Sequence, residues 1–136
     1  MRLQELAQAL DLSVLTPEGL DAGGPGEGGA GGAGTGGATA ALEADITKGY
    51  ASDLLSDVLA NAPAGGVLVT LQVHLNVIAV AGHAGLSAVI FSSGRLPEDE
   101  VVAKAAEEGI VLLGSEADTF ELVGRLYQLG IRGGRA

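Results

Sequence analysis

The chain has 136 residues, a formal net charge of −10 and no cysteine. The missing cysteines exclude disulfides, thiolate metal sites and thiol nucleophiles, and the acidity argues against binding to nucleic acid or to an anionic membrane surface. The length suits one small domain with a modest core. With no signal peptide or membrane-spanning run, we expect one soluble domain over residues 1–136, located in the cytoplasm.

The first part of the chain predicts a helix and a short strand, followed by a low-complexity segment. Apolar residues recur at helical spacing from Leu3 to Leu10, and SVLT at residues 13–16 is a candidate strand. The next segment, GGPGEGGAGGAGTGGATA, fits the dinucleotide pattern GxGxxG in several registers, because ten of the fifteen residues from Gly23 to Gly37 are glycine. A pattern that fits in several registers specifies none, so we predict a flexible insertion at residues 22–40.

After this segment, strand-like and helix-like stretches alternate four times. The predicted strands are ADITKGY (44–50), GVLVTLQ (66–72), LSAVIF (86–91) and IVLLG (110–114). The predicted helices are SDLLSDVLANA (52–62), LNVIAVAGHAG (75–85), PEDEVVAKAAEEG (97–109) and TFELVGRLYQLG (119–130). Strands that are apolar on both faces and alternate with helices imply right-handed βα units. We therefore predict an α/β fold, a three-layer α/β/α domain with a mostly parallel sheet.

Local signals predict where several of these helices begin and end. Ser52 is a candidate N-cap of the first, and Ser115 with Asp118 forms a capping pattern ahead of the last. The second helix ends at Gly82 or Gly85 and the third at Gly109. The basic tail at residues 132–136 is predicted to be frayed.

Hydrogen-bonding side chains concentrate where the predicted strands end. In open parallel sheets, ligands bind beyond the carboxyl ends of the strands, so these residues form a candidate ligand site. The candidates are Lys48, Gly49, Tyr50, Ser52, Asp53, Thr70, Gln72, His74, Asn76, Ser92, Ser93, Gly94, Arg95 and Ser115. Helix capping alone could account for Ser52, Asn76 and Ser115, but it explains Gln72, His74 and Arg95 less readily.

The individual candidates leave several chemical interpretations open. His74 could be a base, a ligand contact or a packed side chain, and no second ligand stands at metal-binding spacing from it. Asp53 and Asp57 share a helix face, either as paired carboxylates or as a solvated surface. Arg95 with Ser92–Gly94 could form a small phosphate site, or it could be a surface arginine in a turn. The chain has no GxxxxGK[ST], GxSxG or HExxH motif.

Two middle segments resemble the DRTGG domain family. They are DITKGYASDLLSDVLANA with TLQVHLNVIAVA, and FSSGRLPEDEVVAKAAEEGIVLLGS further on. DITKG, from Asp45 to Gly49, stands where the naming motif falls, with Ile46 and Lys48 in place of its Arg and first Gly. The resemblance covers residues 1–15 and 43–131, and the glycine-rich insertion interrupts the short connection usual in the family.

The resemblance implies a regulatory role. DRTGG domains are non-catalytic regions of larger proteins, including CBS-containing pyrophosphatases and some phosphotransacetylases, and they resemble the N-terminal domain of HPr kinase. Such domains are associated with dimer contacts and regulation. We therefore expect a homodimer without a cofactor that binds a small anionic ligand, such as a nucleotide, at the carboxyl edge of the sheet. Two alternatives stay open: an adaptor for a kinase or hydrogenase-type oxidoreductase complex, and a small phosphotransferase that uses His74.

Overall fold

The computed structural model describes residues 1–16 and 41–134, and the predicted insertion at 22–40 lies outside these ranges. The helices are α1 (Leu3–Ala9), α2 (Leu55–Asn61), α3 (Asn76–Ala84), α4 (Asp99–Glu108) and α5 (Thr119–Gln128). The strands are β1 (Ser13–Val14), β2 (Gly49–Ala51), β3 (Val67–Thr70), β4 (Ala88–Phe91) and β5 (Val111–Gly114).

The five strands form one sheet in the order β1-β5-β4-β3-β2. Strands β2 to β5 run parallel to one another, and β1 pairs antiparallel with β5 at one edge. Every residue of β3, β4 and β5 is buried, as expected for parallel strands covered on both faces. The predicted α/β fold with a mostly parallel sheet is confirmed.

The helices divide between the two faces of the sheet because the side chains of each strand alternate. Leu68, Val89 and Leu112 point into one core with residues of α2, α3 and α4. Val69 and Ile90 point into the opposite core with residues of α1 and α5. The strand order explains this division, since right-handed crossovers between consecutive neighbouring strands place their helices on one face. The result is the predicted three-layer arrangement.

The start of β2 differs from the prediction. The strand begins at Gly49, and the preceding residues of ADITKGY have other roles: Ile46 is fully buried in the core with α1 and α5, and the Asp45 carboxylate lies 2.9 Å from the amino group of Met1. Lys48 comes directly before the strand, and its carbonyl oxygen would lie 2.9 Å from a Cβ at Gly66. This close backbone approach requires glycine at position 66.

The helix ends agree with the glycine signals, whereas the first residue of the predicted frayed tail is paired. Gly85 and Gly109 are C-caps with φ of 72° and 74°, in the left-handed conformation that glycine adopts readily. Arg132, predicted to be frayed, forms an isolated parallel β-bridge with Lys48 through the backbone. Its backbone amide donates to the Thr47 carbonyl at 3.0 Å. Among residues 1–16 and 41–134, none of the helices combines the length and hydropathy needed to cross a bilayer.

Candidate functional site

The carboxyl ends of β2 to β5 meet at one edge of the sheet, and most of the predicted site residues lie at or after these strand ends. Three candidates do not. Lys48 precedes β2, at the amino edge of the sheet, and Gly49 and Tyr50 lie within the strand. The Tyr50 hydroxyl donates to the Asp57 carboxylate on α2 at 2.8 Å. The expectation that these three residues stand at a strand exit is therefore wrong, because the strand begins later than its apolar pattern suggested.

Asp53 ties the exit of β2 to the exit of β3. Its carboxylate oxygen Oδ1 accepts hydrogen bonds from the Thr70 hydroxyl at 2.9 Å and from the Leu71 amide at 2.7 Å. The Gln72 side-chain amide donates to the Asp53 carbonyl oxygen at 3.1 Å, and the Gln72 backbone amide donates to the Thr70 hydroxyl. These bonds fix the direction in which the chain leaves β3 and thereby position Gln72.

The caps of α2 and α5 differ in detail from the prediction. The N-cap of helix α2 is Leu54 and not Ser52. Ser52 lies two residues before the cap, where its hydroxyl accepts a hydrogen bond from the Leu54 amide. Helix α5 is capped by Asp118, which accepts the Glu121 amide, whereas the Ser115 hydroxyl accepts the Ala117 amide inside the preceding loop. Both predicted serines therefore bind loop amides and do not cap the helices.

The chain after β4 and the chain after β5 leave toward opposite faces of the sheet. Helix α4 packs on one face and α5 on the other, which makes this pair of strand ends the topological switch point where open α/β sheets bind ligands in a crevice. In this protein the crevice is filled. The turn after β4 folds over it, with the Ser93 amide donating to the Ala117 carbonyl at 2.8 Å and the Gly94 amide to the Ser115 carbonyl at 2.8 Å.

This turn, Ser92–Arg95, leaves no backbone amide for an anion. Ser93 and Gly94 have φ of 61° and 70°, and the Arg95 amide donates to the Ser92 carbonyl, as in a type I′ turn. The Ser92 amide donates to the Thr70 carbonyl, and the buried Ser92 hydroxyl lies 2.7 Å from the Thr119 hydroxyl. We name the turn with Ser115–Ala117 and Thr119 the locked segment. The phosphate site considered for Arg95 with Ser92–Gly94 therefore cannot use the backbone amides of these residues.

His74 accepts hydrogen bonds from the first backbone amides of α3. Its Nδ1 accepts the Asn76 amide at 3.1 Å, while the carbonyl of His74 accepts the Val77 amide and the carbonyl of Leu75 accepts the Ile78 amide. Nδ1 therefore carries a lone pair, and the neutral ring holds its proton on Nε2. The first amides of α3 are consequently bound within the protein, and Nε2 is the atom of His74 that can meet a ligand.

A cavity of about 400 Å³ lies beside this edge, between the chain after β3 and the chain after β4. Its size falls within the range of small-molecule sites. The lining residues are Gln72, Val73, His74, Leu75, Arg95, Glu98, Glu100 and Val101. We name it the strand-exit cavity. The three predicted residues that capping did not explain, Gln72, His74 and Arg95, all line it.

The charges of the strand-exit cavity are mixed. Arg95 is exposed and forms no ion pair with any residue in the described ranges. Glu98, the N-cap of α4, and Glu100 in its first turn also line the cavity. Within the same ranges, no group of three or more His, Asp or Glu side chains is placed to hold a metal ion. The arrangement offers one guanidinium, one imidazole, one carboxamide and two carboxylates to a ligand.

Sequence reasoning missed three contributors to this edge. Glu98 and Glu100 belong to PEDE, which reads as the solvated first turn of a helix, and only their position beside Arg95 in space distinguishes them. Thr119 is the helix residue that pairs with Ser92 across 27 positions, and no local pattern marks such a contact.

No protein-family model matches this chain, and no curated protein is significantly similar to it.

Proposed function

We propose that this protein is a non-catalytic regulatory domain that forms dimers and binds a small anionic ligand, such as a nucleotide, in the strand-exit cavity. One observation carries the ligand half of the proposal: Gln72, His74 and Arg95 line one cavity at the carboxyl edge of a parallel sheet. Arg95 supplies a charged donor for an anionic group. Apolar side chains of Val73 and Val101 supply a wall for a flat ring.

The hydrogen bonds of the cavity support a binding role over a catalytic one. A serine or threonine nucleophile is activated by a base within hydrogen-bond reach of its hydroxyl. Across the described ranges, the hydrogen bonds of His74 and Ser92 join them to other groups: His74 accepts a backbone amide, and the Ser92 hydroxyl pairs with that of Thr119. The phosphotransferase alternative rests on Nε2 of His74 alone.

Calorimetric titration tests the ligand half. Purified protein is titrated with adenine and guanine nucleotides, and we expect saturable heat from at least one of them. Arg95→Gln should weaken that binding at least tenfold, because it removes the charged donor. Arg125→Gln is the matched control, since it removes an exposed arginine that is paired with Glu121 on α5. The absence of heat at millimolar concentrations of every nucleotide would exclude this half.

A separate surface supports the dimer half. Phe120, Val123 and Tyr127 recur at helical spacing on α5 and are 90%, 37% and 58% exposed. Large apolar groups in such a row mark interaction surfaces more often than isolated exposed side chains do. The row itself carries no charge, and the Arg132 guanidinium stacks 3.9 Å from the centre of the Tyr127 ring. In a chain of net charge −10, two copies therefore repel each other less at this row than at an acidic surface. We name it the α5 stripe and take a second copy as its partner.

The stripe predicts a weak dimer. Aromatic side chains bury roughly 150–250 Å² each, so three partly exposed residues contribute less than the roughly 800 Å² per partner of a standard interface. Sedimentation over a range of protein concentrations measures the association. Phe120→Ser should shift the association toward the monomer. Leu96→Ser removes an exposed apolar side chain outside the stripe and should not. A monomer at every concentration would exclude a dimer and favour the alternative of an adaptor, whose partner would occupy the stripe.

A further inference from the structure

The turn beside the strand-exit cavity has no backbone amide left for an anion, and this limits how the cavity can bind one. Backbone amides are the usual partners of polyphosphates, at glycine-rich loops and helix N-termini. Here the amides of Ser92, Ser93, Gly94 and Arg95 all donate to carbonyl oxygens of the protein. The backbone of the turn beside the cavity is therefore already satisfied.

The helices that flank the cavity offer little more. The first amides of α3 are bound by Nδ1 of His74 and by the carbonyls of His74 and Leu75. Helix α4 begins with Glu98, Asp99 and Glu100, and these carboxylates offset the positive end of its dipole. Neither helix start therefore favours a chain of phosphates.

The available side chains provide a single permanent positive charge. Arg95 lines the cavity without an ion pair in the described part of the chain. Lys104, further along α4, is paired with Glu107 and Glu108 at 3.6 and 3.4 Å, and Glu108, with Glu107 beside it, raises the pKa of the Lys104 amine. Against Arg95 stand the carboxylates of Glu98 and Glu100, so the formal charge of the lining is negative.

The hydrogen-bond donors and charges beside the cavity indicate a ligand class, on the premise that the proposed function is correct. We infer that the strand-exit cavity selects a nucleoside monophosphate over the corresponding triphosphate. One phosphate group carries roughly −1.5 to −2 charges and can be met by Arg95 and by Nε2–H of His74. The carboxylates of Glu98 and Glu100 accept N–H donors of the base, while each further phosphate adds charge that these carboxylates repel.

Competing ligands of one series test this selectivity. The full chain is titrated by calorimetry with AMP, ATP, GMP, GTP and adenosine at one ionic strength, once with EDTA and once with Mg²⁺. We expect each monophosphate that binds to do so at least tenfold more tightly than its triphosphate in both buffers. Adenosine should bind at least tenfold more weakly than AMP, because it lacks the group that faces Arg95.

Two double variants locate the source of the selectivity. Glu98→Gln with Glu100→Gln removes the repulsion and should reduce the preference for the monophosphate by about tenfold. Asp11→Asn with Glu43→Gln makes the same change in charge beside α1, on the opposite face of the sheet, at exposed residues that form no ion pair in the described ranges, and should leave the preference unchanged. Circular dichroism checks that both variants remain folded.

The outcomes separate the two proposals. A triphosphate that binds as tightly as its monophosphate, with or without Mg²⁺, overturns the selectivity and leaves the binding function in place. An unchanged preference in the Glu98 and Glu100 variant also overturns it. The absence of heat from every nucleotide overturns both the selectivity and the ligand function from which it was inferred.

Discussion

The locked segment and the strand-exit cavity lie side by side at the carboxyl edge of the sheet, and their polar groups are used differently. In the locked segment, the amides of Ser93 and Gly94 and the hydroxyl of Ser92 all bind other parts of the protein. In the strand-exit cavity, Arg95 has no ion pair among the described residues. The first region joins two loops, and the second has groups that can meet a ligand.

The difference shows why the position of a strand end does not by itself identify a binding site. The switch point between β4 and β5 is where the fold rule predicts a crevice, yet a type I′ turn occupies it. The neighbouring pair, β3 and β4, leaves a cavity although both chains lead to helices on the same face. Which strand pair binds a ligand therefore depends on the loops and on their hydrogen-bond partners.

The largest expected effect comes from the hydrogen bonds that position Gln72. Asp53→Ala removes a carboxylate that accepts the Thr70 hydroxyl and the Leu71 amide. Hydrogen bonds to a charged group contribute about 1.5–3 kcal/mol each. Because Asp53 is exposed and water replaces part of what the two bonds provide, we expect a loss of about 2–3 kcal/mol in the free energy of unfolding. Urea denaturation followed by circular dichroism measures this change.

Asp99→Ala is the control for this variant. Asp99 is exposed in the first turn of α4 and forms no ion pair with the described residues, so its removal should cost at most about 1 kcal/mol through the helix dipole. Equal losses in the two variants would contradict a structural role for Asp53.

An intermediate effect is expected at His74, which binds a backbone amide at the start of α3 and also lines the strand-exit cavity. His74→Ala leaves the Asn76 amide without its side-chain acceptor, and losing such a cap costs about 0.5–2 kcal/mol. His74→Asn restores an acceptor near the helix start and should recover part of that loss. If both variants are as stable as the original protein in urea, the contact with Asn76 contributes nothing to stability.

Much of the fold could be predicted from the sequence because strong local signals agreed with the packing. The apolar runs that became β3, β4 and β5 are buried on both faces, and Gly85 and Gly109 end their helices in the left-handed conformation. The start of β2 could not be predicted in this way. Ile46 is as apolar as a strand residue, but it fills the core under α1, which is a contact between distant parts of the chain.

The sequence predicted the edge of the sheet where the candidate site lies, but not all of the residues that line it. Residue type identified Gln72, His74 and Arg95, which are not among the usual N-cap residues, although His74 turned out to accept the first amide of α3. The pairing of Ser93 with Ala117 and of Gly94 with Ser115 depends on how two loops meet in space, and no spacing in the sequence encodes it. Glu98 and Glu100 have the pattern of an ordinary helix start, so only their place in the lining of the same cavity as Arg95 gives them a role.

The smallest expected effect on stability is at Arg95, and it separates the two regions most clearly. Arg95→Gln keeps the backbone amide that closes the type I′ turn with Ser92 and removes only the guanidinium. Exposed substitutions away from structural contacts change the free energy of unfolding by less than about 0.5 kcal/mol, so urea denaturation of Arg95→Gln should overlay that of the original protein. Asp53→Ala in the same experiment provides the scale for a structural loss. A loss above about 1 kcal/mol for Arg95→Gln would mean that the Arg95 guanidinium is held in a structural contact, and the strand-exit cavity would then have no free cation with which to bind an anion.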